Sequence, residues 1–230
     1  MHFSVVVFPG SNCDSDTWHA LDYLGHEVSY VWHGQEKLPA TDCVVIPGGF
    51  SYGDYLRPGS IARFSPLMEN LVEYANSGGL VLGICNGFQV LTEAGLLPGA
   101  LLQNHNLQFR CQWQWLKTEN NGTVFTGGLD GAMLRLPIAH GDGRFYLPTE
   151  QLRQLEQEDR VVFRYCDAEG NVSPDSNPNG AEGNVAGIIN KDGNVLGMMP
   201  HPERAVETLL GGTDGARLFA SLQRGWEGLR

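Results

Sequence analysis

Short hydrophobic runs alternate with amphipathic segments in the N-terminal part of the chain. A nearly continuous apolar run is typical of a strand buried on both faces of a parallel sheet, because helices cover both faces of such sheets. Helical spacing at 14–24 and 62–77, and again directly after residue 85, predicts the intervening helices. This alternation predicts an α/β fold with a doubly wound, mostly parallel, flavodoxin-like sheet. The predicted strands are 3–8, 27–32, 43–46 and 80–84.

The rest of the chain shows a different pattern. Between 104 and 165 the strands look short and helical periodicity is scarce, which favours extra antiparallel strands or long loops on the same domain. Two runs at 185–190 and 194–199 are separated by Lys-Asp-Gly, and this spacing predicts a hairpin. A last helix is predicted at about 213–226. Without a repeat or a low-complexity linker, a single domain over 1–230 is expected.

The composition restricts the possible partners. Hydrophobic residues make up 42% of the 230 residues, enough for a hydrophobic core, and the formal net charge is −11. Such an acidic chain is not expected to bind nucleic acid or an anionic membrane surface, because Lys and Arg drive phosphate binding. A small-molecule substrate or a protein partner is expected instead.

The cysteines and the apolar runs indicate a cytoplasmic protein. The five cysteines are odd in number and show no CxxC spacing, so reduced thiols and no metal site are expected. The opening MHFSVVVFPG has no basic segment before its apolar run, which predicts a first strand and not a signal peptide. The apolar runs are strand-sized, far short of a membrane-spanning helix.

A Gly-x-Cys-x-Gly sequence, GICNG at 83–87, stands where the fourth predicted strand meets a helix. This is the spacing of a nucleophile elbow with cysteine in place of serine. The glycines let strand and helix approach at a tight turn, and a helix N-terminus directed at the sulfur favours the thiolate. The pattern predicts that Cys85 is a nucleophile; the alternative is a structural cysteine in a glycine-rich turn. The other four cysteines are expected to be structural.

A histidine and a glutamate, His201 and Glu203, follow the last predicted strand in the sequence PHPE. Attack by a thiol needs a base that takes and returns a proton, and a carboxylate that holds the imidazole tautomer. In isolation the pair also fits a loop histidine beside a solvated glutamate. Ligands of doubly wound sheets bind at the carboxyl ends of the strands, where both Cys85 and His201 are predicted. The combination therefore predicts a catalytic triad.

The third predicted strand ends in PGGFS at 47–51. Two glycines let backbone N–H groups approach a ligand closely, so the N–H groups of Gly49 and Asn86 are predicted to form an oxyanion hole. An ordinary strand-to-loop turn is the alternative. Gln89 lies one helical turn beyond Cys85, where it faces either the pocket or solvent.

Three segments resemble class I, or triad-type, glutamine amidotransferases: PGGFSYGDYLRPGSIARF, GICNGFQVL and NVLGMMPHPERA, at 47–64, 83–91 and 194–205. The resemblance runs essentially end to end. It implies that Cys85 is the nucleophile, His201 the general base and Glu203 the third triad member. It further implies an oxyanion hole at Gly49 and Asn86, and a glutamine pocket lined by Phe50, Ser51 and Gln89.

The loop sequence GFSYGDYLR resembles the purine-biosynthetic branch of that class. Members of this branch are glutaminase subunits that pass ammonia to a larger synthetase subunit, which uses ATP and Mg²⁺ to aminate formylglycinamide ribonucleotide. The resemblance implies that partner and a small accessory subunit, with no cofactor in this chain. The sequence departs from the branch at Asp142, Pro58 and CQWQW (111–115). Alternatives are a free-standing cysteine-dependent hydrolase, such as a γ-glutamyl hydrolase or a peptidase, and a non-catalytic binding domain.

Overall fold

The computed structural model describes residues 1–129 and 131–229. Eleven strands and five α-helices lie within these ranges. The strands are β1 (His2–Val7), β2 (Glu27–Trp32), β3 (Cys43–Ile46), β4 (Leu80–Ile84), β5 (Ala100–Leu102), β6 (Arg110–Thr118), β7 (Met133–His140), β8 (Arg144–Tyr146), β9 (Val161–Cys166), β10 (Val185–Ile189) and β11 (Val195–Met198). The helices are α1 (Asp14–Tyr23), α2 (Pro66–Asn76), α3 (Asn86–Glu93), α4 (Thr149–Gln157) and α5 (Asp214–Glu227).

Nine of the described strands form one sheet in the order β2-β1-β3-β4-β11-β10-β9-β6-β7. Every neighbouring pair from β2 to β11 is parallel, and this part has the flavodoxin-type strand order. Every residue of β3 and β4 is buried, as their unbroken apolar runs predicted. From β11 to β7 the pairs are antiparallel, and β10 and β11 form the predicted hairpin. The predicted α/β fold with added antiparallel strands is confirmed.

The antiparallel strands expected in the middle of the chain are present and β8 is short, but two of them are longer than expected. Strand β6 has nine residues and β7 has eight, and both are longer than any strand of the parallel part. In β6 only alternate positions near its C-terminal end are buried, so no continuous apolar run marks it. Helix α4 was missed because Leu152 and Leu155 are its only buried residues.

The helix predicted at 62–77 begins later, at Pro66. Residues 62–64 form a separate 3-10 helix, and Ser65 between the two is extended. Proline is favoured at the first helical position because its fixed φ suits the helix and its missing N–H is not needed there. None of the helices within 1–129 and 131–229 is long and apolar enough to span a membrane.

The parallel part of the sheet brings separate chain segments to one edge. Strands β1, β3, β4 and β11 all end there, because parallel strands point their carboxyl ends the same way. Strands β4 and β11 are adjacent and in register, with Ile84 opposite Met198. The segments that follow these two strands carry Cys85 and His201.

Candidate active site

Cys85 occupies a strained backbone conformation between β4 and α3. Its φ of 50° and ψ of −104° lie in a region that residues with a Cβ rarely adopt. Its backbone N–H donates to the Met198 carbonyl oxygen at 2.8 Å, which ties the turn to β11. A Cβ on Gly87 would overlap the Ile46 carbonyl oxygen, and one on Gly83 would lie 2.8 Å from the Gly87 oxygen. The two glycines are therefore needed for the close approach of α3 to the sheet.

His201 and Glu203 form a buried pair on the loop after β11. Glu203 Oε1 lies 2.6 Å from His201 Nδ1, and the two side chains are 0% and 1% exposed. The His201 backbone N–H donates to the Pro137 carbonyl oxygen of β7 at 2.8 Å. His201 Nε2 has no hydrogen-bond partner in the described part of the chain. One ring nitrogen is thus held by the carboxylate, and the other is free to exchange a proton.

The charge state of His201 is set by competing effects. Burial opposes the imidazolium form, but the Glu203 carboxylate and the Cys85 and Cys13 sulfurs outweigh it and raise the pKa of His201 well above its usual value. A nearby carboxylate favours the protonated ring because opposite charges attract strongly where solvent is excluded. The environment therefore favours a histidine that accepts and holds a proton from a thiol.

Cys85 and His201 line one cavity of about 230 Å³ at the sheet edge. Gly49 and Phe50, both predicted from the sequence, also line it. Gly49 has a φ of 141°, and a Cβ there would lie 2.8 Å from the Asn12 nitrogen, so only glycine fits. The other lining residues are Asn12, Cys13, Phe109, Cys111, Ala139 and Arg204.

Three further predicted residues do not line this cavity and instead form a buried polar network. Asn86 Oδ1 accepts from the Ser51 backbone N–H at 3.1 Å, and Asn86 Nδ2 donates to Gln89 Oε1 at 2.9 Å. Gln89 Nε2 donates in turn to the Asp142 carbonyl oxygen at 2.7 Å. The network joins the loop after β3, the start of α3 and the loop after β7. Contact of Ser51 and Gln89 with glutamine stays a prediction.

The antiparallel half of the sheet supplies residues that sequence reasoning missed. The Cys85 sulfur lies 3.7 Å from the Ala139 carbonyl oxygen of β7, and Cys111 of β6 pairs directly with Ala139. Phe109 lines the same cavity. No local pattern in β6 or β7 indicated that β7 reaches the Cys85 sulfur or that residues beside β6 line its cavity.

Within residues 1–129 and 131–229, one cluster of potential metal-ligating atoms lies at the site, and its surroundings disfavour a metal ion. Ligand atoms of Cys13, His201 and Glu203 lie within 4.8 Å of one another. However, the Arg204 guanidinium donates to the Cys13 sulfur at 3.0 Å, and its Nε lies 4.0 Å from Glu203. A fixed cation at this position repels a metal cation, so the cluster suits proton transfer better than metal binding.

Comparison with known proteins gives the family. Residues 1–212 match the family described as CobB/CobQ-like glutamine amidotransferase domain, and the chain belongs to this family. A cysteine that lines one cavity with a histidine, which is itself bonded to a buried carboxylate, is an arrangement that suits covalent catalysis.

Individual relatives match along almost the whole chain. The chain is 58% identical over 229 residues to the phosphoribosylformylglycinamidine synthase subunit PurQ of Moorella thermoacetica, covering 99% of this chain and 97% of that protein. It is 56% identical over 222 residues to the subunit of the same name from Chlorobium luteolum, covering 96% of each. A chain in the structure of PurLQS from Thermotoga maritima has a TM-score of 0.85 and 46% identity, covering 97% of both chains.

Proposed function

We propose that this chain is the glutaminase subunit of a phosphoribosylformylglycinamidine synthase. It hydrolyses glutamine to glutamate and ammonia, and it passes the ammonia to a larger synthetase subunit. The observation that carries the proposal is the strained Cys85, which lines one cavity with His201 of the buried His201–Glu203 pair. The near end-to-end match to phosphoribosylformylglycinamidine synthase subunits supports the same function.

The reaction proceeds through a thioester. The Cys85 sulfur attacks the side-chain carbonyl carbon of glutamine while His201 Nε2 takes the thiol proton. The carbonyl electron pair moves to oxygen, then returns as the C–N bond breaks. His201 gives its proton to the leaving nitrogen, so ammonia departs and a γ-glutamyl thioester remains. His201 next deprotonates a water that attacks the thioester, which releases glutamate and restores the thiol.

Glu203 holds the imidazole for both proton transfers. Its bond to Nδ1 selects the tautomer that leaves Nε2 free to accept a proton, and its charge stabilises the imidazolium that forms. The 2.6 Å separation and the absence of solvent strengthen this interaction.

The negatively charged oxygen of the tetrahedral intermediate needs hydrogen-bond donors beside it. We assign this role to the backbone N–H groups of Gly49 and Asn86. Gly49 lines the cavity, and Asn86 is in the first turn of α3, where N–H groups lack an intrahelical acceptor. Loss of one such donor costs on the order of 10²–10³ in rate. Phe50, Ser51 and Gln89 are assigned to the glutamine pocket.

The synthetase chemistry belongs to a partner. The sequence contains no GxxxxGK[ST] motif for cradling nucleotide phosphates, so ATP and Mg²⁺ are assigned to the larger subunit, which converts formylglycinamide ribonucleotide to formylglycinamidine ribonucleotide. The likeness to a chain in the PurLQS structure supports assembly with a larger and a small subunit. We treat the whole chain as one amidotransferase domain located in the cytoplasm.

The exposed part of the loop at 50–61 is our candidate for docking or gating. Tyr55 and Leu56 are 75% and 91% exposed, although both are apolar. Arg57 anchors the loop to α3 through two bonds to the Glu93 carboxylate, at 2.6 and 2.7 Å. A loop that is anchored to α3 and presents exposed aromatic and aliphatic side chains suits a protein partner.

Ammonia release tests the proposal. We expect slow release from glutamine by the purified chain, and a strong increase with the synthetase subunits, ATP and formylglycinamide ribonucleotide. Cys85→Ala should abolish glutamine-dependent synthesis and spare synthesis from added ammonia. Fast release that is indifferent to the partners would instead indicate a free-standing hydrolase. Glutaminase turnover retained by Cys85→Ala would remove the assignment of the nucleophile.

A further inference from the structure

The guanidinium of Arg204 is surrounded by acidic and sulfur groups. Its Nε lies 3.1 Å from Asp16 Oδ2 of α1, and its Nη2 donates to the Cys13 sulfur at 3.0 Å. The Nε also lies 4.0 Å from Glu203 Oε1. Burial opposes the charged form of Arg204, yet Cys13, Glu203 and Asp16 together raise its pKa. This arginine therefore links α1 to the short 3-10 helix (Pro202–Arg204) that carries Glu203.

Glu203 needs a compensating cation. Its side chain has no exposed surface, Oε1 is bonded to His201, and Oε2 has no partner among the described groups. A buried carboxylate with so few hydrogen bonds is costly to keep ionised. Among the arginines and lysines of the described residues, Arg204 is the one whose side chain lies within 4.0 Å of the Glu203 carboxylate. Its loss would leave Glu203 with the imidazole alone.

Cys13 restrains the imidazole. The thiol is buried, and it donates to Asn12 Oδ1 at 3.2 Å while it accepts from Arg204. A Cβ built on Gly48 would lie 2.7 Å from His201 Cε1 and 3.1 Å from the Cys13 sulfur. The ring and the thiol thus pack together against the backbone of the loop after β3, which leaves the imidazole little room to turn away from Glu203.

We propose that Arg204 is a positioning residue: held by Asp16 and Cys13, it lies beside the Glu203 carboxylate and fixes the His201–Glu203 pair in its productive orientation. This inference rests on the proposed function, because it gives Arg204 a task only if that pair is catalytic. The competing role for a cavity-lining arginine is direct contact with the α-carboxylate of glutamine. The two roles separate in kinetics, since a positioning residue changes kcat and a substrate anchor changes KM.

The kinetic test uses the chain assembled with its synthetase subunits. We expect Arg204→Gln to lower kcat for ammonia release on the order of 10²-fold, with KM within about threefold, because small misplacements of catalytic groups cost rates of this size. Arg204→Lys should be intermediate, since a lysine keeps the charge but cannot bond Asp16 and Cys13 in the same planar arrangement. The control is Arg217→Gln, which removes an exposed Arg–Asp pair on α5 (Nη1 to Asp214 Oδ1, 2.8 Å) and should leave kcat unchanged.

A second readout does not depend on glutamine binding. Iodoacetamide carries no carboxylate, so the pH dependence of Cys85 alkylation, followed by peptide mass spectrometry, reports the catalytic groups alone. The charged and titratable groups around His201 are Glu203, Cys85, Cys13, His140 and Arg204. Arg204→Gln should move the midpoint of the alkylation profile, Cys13→Ser should move it less because serine keeps a donor and an acceptor, and Arg217→Gln should leave it in place.

Three results decide between the possibilities. The inference is overturned if a folded Arg204→Gln variant keeps the wild-type kcat and the wild-type midpoint of the alkylation profile. A raised KM with kcat and this midpoint unchanged also overturns it, because that result indicates a substrate anchor. If Arg204→Gln does not fold, as judged by circular dichroism, the same criteria apply to Arg204→Lys. The proposed function is refuted if the wild-type protein releases no ammonia in the complex and its Cys85 does not react with a glutamine-like diazo ketone. This outcome is independent of the Arg204 variants.

Discussion

Replacement of the buried carboxylate, Glu203→Gln, probes the proposed triad with almost no change in volume. The amide keeps the shape of the side chain but loses the negative charge 2.6 Å from His201 Nδ1. Because that carboxylate raises the pKa of His201, its loss should lower this pKa, and burial then adds to the decrease. An amide can also turn its NH₂ group toward Nδ1, which selects the tautomer whose Nε2 already carries a proton.

The expected loss follows from the bond that is removed. A hydrogen bond to a charged group contributes about 1.5–3 kcal/mol, which corresponds to roughly 10–150-fold in rate. The wrong tautomer adds to this cost, and a comparable change in a serine-type triad costs about 10⁴. We therefore expect kcat for glutamine hydrolysis to fall by about 10²–10⁴, with a small change in KM.

The assay is ammonia release by the assembled enzyme, together with an NMR titration of the His201 ring. Glu207→Gln is the matched control, because Glu207 bonds His19 at 3.0 Å in an exposed pair outside the cavity. That variant should keep kcat within about twofold, since exposed pairs contribute little. Wild-type kcat in a folded Glu203→Gln variant, or an undiminished pKa of its His201, would refute the reasoning.

Three further predictions concern folding and assembly. Gly87→Ala should destabilise the fold by about 3 kcal/mol in urea unfolding, because the new Cβ overlaps the Ile46 carbonyl oxygen; an unchanged midpoint would contradict the required close approach. Burial and the nearby His201 lower the pKa of His140 to about 4, so the unfolded chain takes up the proton first and stability falls as the pH drops from about 6.5 toward 4. His140→Gln should remove about 2 kcal/mol of the loss between pH 7 and 5, and an unchanged pH slope would exclude this cause. Leu56→Asp, at a 91% exposed position, should preserve Tm but weaken binding to the synthetase subunit in titration calorimetry; full affinity would exclude the loop at 50–61 from docking.

Local sequence patterns predicted the parts of the protein that local chemistry determines. The unbroken apolar runs at 43–46 and 80–84 predicted two fully buried strands because only a sheet covered on both faces tolerates them. The glycines around Cys85 predicted a tight strand-to-helix turn, and Gly87 is required there by contact with Ile46. The Asp-Gly turn predicted the hairpin of β10 and β11, which ends at Met198, three residues before His201.

The lengths of β6 and β7 were not predicted. Strand β6 is buried at alternate positions only near its C-terminal end, and the regular alternation of buried positions in β7 was not recognised. Their positions depend on pairing with β9, a strand more than forty residues away from the start of β6 along the chain. Contacts of this range follow from the packing of the whole sheet and leave no signal in a short window of sequence.

The sequence by itself determined the α/β class, the strand-end location of Cys85, His201 and Glu203, and the glycines that the turns require, because propensity, periodicity and turn chemistry act over a few residues. Only the tertiary structure decided that β7 reaches the Cys85 sulfur, that Ser51 and Gln89 join a polar network outside the cavity lining, and that Arg204 and Cys13 lie beside the His201–Glu203 pair. Arg204 and Cys13 are separated by most of the chain, and they meet because β1 and β11 end at the same edge of one parallel sheet.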